Sequence, residues 1–207
     1  MSTSYTIASC FAENRYKARA MPFISALTHC TSAGTMIDYS MEIRSHKQSG
    51  GCAVQKRIAL QLYSIREYVS QDFWGSLRKV KDCGYNAVEF AGYYGHSATE
   101  LKEGLAELGL EPLSSHVSFD LLRDEPEQVA AYSQELGLAY VVCPSADVST
   151  AEKIEEVGAV FQTMAKLLEP LGIGFGYHNH DYEFLPLEDG RRRLDVLLEQ
   201  GKDYGLL

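Results

Sequence analysis

Residues 177 to 184, YHNHDYEF, concentrate side chains that can do chemistry. On an extended chain His178 and His180 point to the same side, about 7 Å apart by strand rise. At that spacing two imidazoles can serve one metal ion, or one metal and one substrate hydroxyl. Glu183 follows three residues later, as a site carboxylate or a solvated loop residue. The stretch therefore indicates metal binding, proton transfer or both.

Three more polar residues interrupt apolar runs upstream. Glu89 stands between Val88 and Phe90, and an unpaired buried carboxylate is costly, so it is expected to be ion-paired or functional. His116, flanked by serines in LSSHVS, is either a hydrogen-bonded structural histidine or a site residue. Gln61 lies on the polar face of IALQLYS.

The elements that position these residues follow from a repeated plan: a helix end, a glycine and a short apolar run. Glycine suits the left-handed residue that closes a helix before a strand. Ser97 and Ser149 each begin a capping-box pattern, and Asp124 precedes Glu-Pro as an expected N-cap. The predicted strands are 58–64, 86–91, 112–118, 139–144 and 173–179. The predicted helices are 72–83, 97–108, 125–136, 150–170 and 190–200, and the repeated glycines are Gly84, Gly109, Gly137 and Gly172.

Alternating strands and helices predict a parallel sheet, either doubly wound or a (β/α)8 barrel. A doubly wound sheet needs apolar side chains on both faces. Four of the strands instead pair one apolar face with one face that carries polar residues near its C-terminal end. This pattern favours the barrel, whose inner face can carry ligands at its C-terminal mouth. Glu89, His116, His178 and His180 should then converge there.

Charge and composition narrow the function further. The chain carries a net charge of −9, with seven Lys/Arg against three Asp/Glu in residues 1–57 and twelve against twenty-five in the rest. An acidic body argues against a nucleic-acid partner. No apolar run is long enough for a transmembrane helix. Five scattered cysteines suggest reduced thiols and a cytoplasmic protein. Export is the alternative, because three basic residues precede AMPFISAL.

Residues 1–56 and 57–207 differ in character. The first segment is rich in Ser, Thr and Gly and shows no sustained hydrophobic period. We predict that it is a disordered or non-homologous N-terminal extension. The periodic pattern begins near Arg57, so we predict one domain over 57–207.

Five segments, in this order, resemble the sugar phosphate isomerase/epimerase family of the xylose isomerase-like TIM barrels: IALQLYSIR, GYNAVEFAG, LSSHVS, YVVCPS and YHNHDYEF. The resemblance implies a (β/α)8 barrel that binds a divalent metal at its mouth, Mn²⁺ first, with Zn²⁺, Mg²⁺ or Co²⁺ as alternatives. It also implies a sugar, keto-sugar or inositol derivative as substrate, which the enzyme isomerises, epimerises or dehydrates.

By the resemblance, His178 takes the fifth-strand metal-ligand position, which is a glutamate in many members. The resemblance also implies that Glu89 and His116 contact substrate hydroxyls at the mouth, and that His180 and Glu183 lie close enough for substrate or second-shell contacts. We predict Glu89, His180 and Glu183 as catalytic residues, for the proton shuttle or for substrate orientation, and Gln61, His116 and Asn179 as substrate-binding residues.

The chain ends where the family's sixth strand is expected to begin. We therefore expect a barrel truncated to about five β/α units, and the activity of this chain alone stays open. A non-catalytic barrel fragment is one alternative. A lyase or hydrolase on the same barrel, such as a dehydratase or an endonuclease, is another. A homo-oligomer is compatible with either.

Overall fold

The computed structural model describes residues 58–202 and 206. The predicted extension over 1–56 lies outside this range, so its boundary stays a prediction. Five parallel strands form one sheet, in which each strand pairs with the one that precedes it in the sequence. A doubly wound sheet reverses its strand order at a switch point, whereas a barrel adds each strand beside the last. The predicted barrel-type fold is confirmed. The strands are β1 (Ala59–Gln61), β2 (Ala87–Ala91), β3 (Glu111–His116), β4 (Tyr140–Cys143) and β5 (Gly174–Tyr177).

Helices connect the strands, and each predicted helix is present with ends shifted by at most three residues. Two short helices, Arg66–Gln71 and Phe119–Asp124, extend the loops after β1 and β3 and were not predicted. Within the described range, no helix is both long and apolar enough to cross a membrane. The helices are α1 (Arg66–Gln71), α2 (Phe73–Asp82), α3 (Ala98–Leu108), α4 (Phe119–Asp124), α5 (Pro126–Leu136), α6 (Ala151–Leu168) and α7 (Arg193–Gly201).

Helix ends confirm part of the predicted capping. Ser97 and Glu100 form the expected capping box at the start of α3. At α6 the cap is Thr150, one residue later than predicted. At α5 the N-cap is Glu125 rather than Asp124, because Asp124 is the last residue of α4. All four predicted helix-closing glycines have positive φ, between 63° and 92°.

The outward face of the sheet packs against the helices. Val88 and Phe90 are fully buried in β2, and Phe175 of β5 meets Phe161 of α6 at 5.1 Å between ring centroids. Burying such side chains gives about 1.5–3 kcal/mol each, which fixes the strands against the helix layer. This rigid layer leaves the other face of each strand free for polar residues.

The inner face carries polar residues in register. Gln61 is paired with Glu89, and Glu89 with Ser114, so their side chains leave the sheet on the same side. The register shifts between Val88 and Glu89, which aligns Ala91 with His116. Three neighbouring strands therefore present polar groups at one end of the sheet.

Candidate functional site

Glu89 is surrounded by three hydrogen-bond donors. Gln61 Nε2 lies 2.7 Å and His116 Nε2 lies 3.2 Å from its Oε1, and the Ser114 hydroxyl donates to Oε2 at 2.6 Å. Burial acts to raise the pKa of Glu89, but the hydrogen bonds from His116, Ser114 and Gln61 outweigh it and lower the pKa to about 2. Glu89 is therefore an anion at neutral pH and a weak base.

Next to Glu89, the imidazole rings of His116, His178 and His180 lie one after another across the C-terminal mouth of the barrel. The His116 and His178 rings lie 5.1 Å apart, and the His178 and His180 rings 5.0 Å apart, between centroids. Strand β5 ends at Tyr177, so both later histidines stand on the turn after it rather than in the strand. Contact with His116, an inner-face residue, places His178 at the mouth and not in the helix layer.

The central imidazole is held in its neutral form. Burial lowers the pKa of His178, and repulsion from His116 and His180 lowers it further. Its backbone amide donates to the carbonyl of Cys143 at 2.9 Å, which anchors it to β4. A neutral imidazole can accept a hydrogen bond or bind a metal ion.

Glu183 lies behind the last imidazole. Its side chain is 0% exposed, whereas that of His180 is 44% exposed. The hydroxyl of Tyr177 donates to Oε1 at 2.6 Å, and the His180 amide donates to Oε2 at 2.7 Å. The His180 Nδ1 lies 3.9 Å from Oε1. We call His116, His178 and His180 the histidine row; a carboxylate stands at each end.

The structure brings together six of the seven predicted site residues, and their roles stay predictions. The seventh residue, Asn179, lies apart from the other six. It is exposed on the turn, and its side-chain amide donates to the carbonyl of His180 at 3.2 Å. Ser114 was missed, although it lies two residues before His116 and so shares its face. Tyr177 and Tyr182 were also missed, because their contacts depend on how the turn folds back.

The donor set fits a metal ion only in part. Neutral His178 has the right chemistry for a ligand. A catalytic metal site typically takes three protein ligands, as zinc enzymes illustrate. Among residues 58–202 and 206, no group of three His, Cys, Asp or Glu side chains is arranged to hold an ion. The described side chains do not complete the predicted site.

A groove of about 490 Å³ opens beside the mouth, between the loops that follow β3, β4 and β5. Tyr182 lines it, and the Tyr182 ring stacks on His180 at 5.5 Å and 11°. Both cations of its wall are paired with carboxylates: Arg123 with Asp120 at 3.1 Å, and Lys153 at 3.0 Å from a neighbouring glutamate. The groove adjoins the exposed end of the histidine row.

Solved structures with this fold support the resemblance. A sugar phosphate isomerase/epimerase from Parabacteroides distasonis superposes with a TM-score of 0.66 at 20% identity, over 76% of this chain and 68% of that one. A second protein of that description and organism gives 0.63 at 27% identity, over 73% and 67%. An AP endonuclease of family 2 from Brucella melitensis gives 0.55 at 16% identity, over 73% and 67%.

The chain thus spans about two thirds of the length of these structures. The AP endonuclease, at 16% identity, shares the fold alone. No family model matches the chain, and no curated protein sequence matches it. The chain has the fold of the xylose isomerase-like TIM barrels, and the sugar phosphate isomerase/epimerases are among its structural relatives.

Proposed function

We propose that the histidine row moves a proton to and from the carbon next to the carbonyl of a sugar, as an isomerase or epimerase. One observation carries this proposal: three adjoining imidazoles lie between two carboxylates. They lie where parallel strands end, which is the face on which barrel enzymes bind their substrates. The similarity to sugar phosphate isomerase/epimerases supports the substrate class.

The chemistry needs two proton-handling groups. One group takes a proton from the carbon, while another gives a proton to the carbonyl oxygen, and an enediol forms. Returning the proton to the neighbouring carbon isomerises the sugar; returning it to the opposite face of the same carbon epimerises it. Two imidazoles with separate carboxylate partners can act as this pair.

We assign the pair to His180, a predicted catalytic residue, and to His116, a predicted substrate-binding residue. His180 is the most exposed member of the row and adjoins the groove, so it can reach a bound sugar. His116 has Glu89 beside its Nε2 at 3.2 Å, an arrangement that orients the ring. With a pKa of about 2, Glu89 suits orienting His116 better than carrying the proton itself. With no metal ion bound, the unprotonated nitrogen of neutral His178 would accept a hydrogen bond from a sugar hydroxyl; a bound ion would take that nitrogen instead.

Gln61 is proposed to bind a hydroxyl group of the sugar; for Asn179 that role stays a prediction, because its exposed side chain hydrogen-bonds the turn itself. Gln61 gives one amide hydrogen to Glu89, and its side chain has a second hydrogen and a carbonyl oxygen for a ligand. The groove wall holds three carboxylates and two paired cations. This balance favours an uncharged sugar over a phosphorylated one.

Metal binding by this chain is a separate proposal. His178 would be one ligand of a divalent ion, Mn²⁺ first, with Zn²⁺, Mg²⁺ or Co²⁺ as alternatives. The proton transfers above are assigned to this chain's side chains alone, because the described residues do not complete a metal site.

Incubation of the purified chain in D₂O with free and phosphorylated ketoses tests the proposal. Proton and deuterium NMR would follow the sugar. We expect deuterium at the carbon next to the carbonyl, followed by the isomer or epimer, with free ketoses reacting faster than their phosphates. If no sugar in either set gains deuterium, with or without added Mn²⁺, the proposed function is wrong.

A further inference from the structure

The Glu183 carboxylate is enclosed by the protein although it lies in a surface turn. Its side chain is 0% exposed, and each oxygen accepts a hydrogen bond from within the chain. A carboxylate so enclosed cannot touch a sugar unless the turn opens. Glu183 must therefore affect any reaction through the residues that it contacts.

The first contact ties Glu183 to the rigid part of the molecule. Tyr177 is the last residue of β5, and its ring packs against Phe161 of α6 at 5.5 Å. Phe161 is fully buried, so the position of the tyrosine hydroxyl is fixed by the core. Burial and the neighbouring Glu183 raise the pKa of Tyr177, so its hydroxyl keeps the proton that it donates.

The second contact reaches the histidine row. The amide of His180 donates to Glu183 Oε2, which closes the turn across three residues. The His180 ring also lies with its Nδ1 3.9 Å from Oε1 and with one face on Tyr182. Glu183 therefore fixes the backbone of His180 and stands beside the ring.

We infer that Tyr177 and Glu183 are positioning residues: together they hold His180 at the end of the histidine row. Glu183, predicted as a catalytic residue, thus acts through His180 rather than on the sugar. The catalytic purpose of this pair rests on the proposed function. The hydrogen bonds by which Glu183 joins Tyr177 to the His180 amide do not depend on that function, and their effect on the turn can be measured without any substrate.

Three variants separate the positioning role from simple loss of charge. Tyr177→Phe removes one hydroxyl and keeps the ring on Phe161, so the fold is expected to survive. Glu183→Gln removes the charged acceptor from the His180 amide and keeps the side chain's size. Asp181→Asn is the matched control, because this exposed carboxylate lies in the same turn and makes no capping hydrogen bond.

Amide hydrogen exchange and the His180 ring resonances, both followed by NMR, give the first measurement. In Glu183→Gln we expect the His180 amide to exchange about tenfold faster, because its hydrogen-bond acceptor is no longer charged. In Tyr177→Phe we expect the His180 ring signals to shift. Asp181→Asn should leave both unchanged. Wild-type exchange and ring signals at His180 in both Tyr177→Phe and Glu183→Gln would overturn the inference.

Turnover gives the second measurement. Partners that orient metal-ligating histidines are typically worth about 10- to 100-fold; we expect a loss of the same size here, with kcat lowered in both variants and KM little changed. A raised KM with unchanged kcat in Glu183→Gln would instead mean that Glu183 binds the sugar directly, which would also overturn the inference. If the wild-type chain exchanges no deuterium, the proposed function fails, while the NMR result still decides the positioning role.

Discussion

Acid should unfold this protein partly through Glu89, and the size of the effect follows from its surroundings. Its pKa falls from the ordinary 4.5 to about 2 in the folded chain. One pKa unit corresponds to about 1.4 kcal/mol, so the ionised form contributes about 3 kcal/mol to stability. Because the folded pKa is the lower one, this contribution is complete well above pH 4.5 and is lost as the pH falls towards 2. By pH 3 about 2 kcal/mol should be gone.

Urea unfolding of the wild type and Glu89→Gln at pH 6, 5, 4 and 3 measures this loss. The wild type should lose about 2 kcal/mol more than the variant between pH 6 and pH 3. Glu103→Gln, which removes an exposed carboxylate from α3, should follow the wild-type curve. Parallel curves for the wild type and Glu89→Gln would refute the claim that Gln61, Ser114 and His116 stabilise the Glu89 anion.

Three further changes test the metal proposal and the packing. His178→Ala should weaken Mn²⁺ binding at least about tenfold, followed by the electron paramagnetic resonance of the free ion, and unchanged affinity would remove His178 as a ligand. Gly104→Ala would place a Cβ against the Trp74 ring, so overpacking should cost about 1–3 kcal/mol in thermal unfolding; a rise in Tm would mean that the ring yields freely. Asp72→Ala removes the side chain that caps α2 through the amide of Gly75 and should cost about 1 kcal/mol in urea unfolding, whereas an unchanged midpoint would show that water replaces the cap.

Sequence patterns predicted the fold because the signals that define it are local. Each helix end, its glycine and the next apolar run lie within a few residues of one another, so the order of strands and helices could be inferred. Alternation within single strands also identified Glu89 and His116 as inner-face residues. The short helices α1 and α4 were missed, because each is six residues long and lies within a loop.

Other features of the site depend on contacts between distant segments. Ser114 and Gln61 reach Glu89 through the register of three strands, and that register shifts at Glu89. Alternation in one strand gives no information about such a shift. The burial of Glu183 depends on the Tyr177 hydroxyl and on the turn folding back over it. The sequence identified Glu183 as a candidate site carboxylate, but nothing in it showed that the side chain is buried.

Solvent deuterium incorporation by wild type, His116→Gln and His180→Gln tests the central claim most directly. Each histidine variant should incorporate deuterium next to the sugar carbonyl at least about 100-fold more slowly than the wild type. His96→Gln is the matched control, since His96 packs beside Phe73 at 4.5 Å, outside the histidine row, and its rate should not change. Sugar product that forms without deuterium, or unchanged incorporation in both His116→Gln and His180→Gln, would contradict proton transfer by the histidine row.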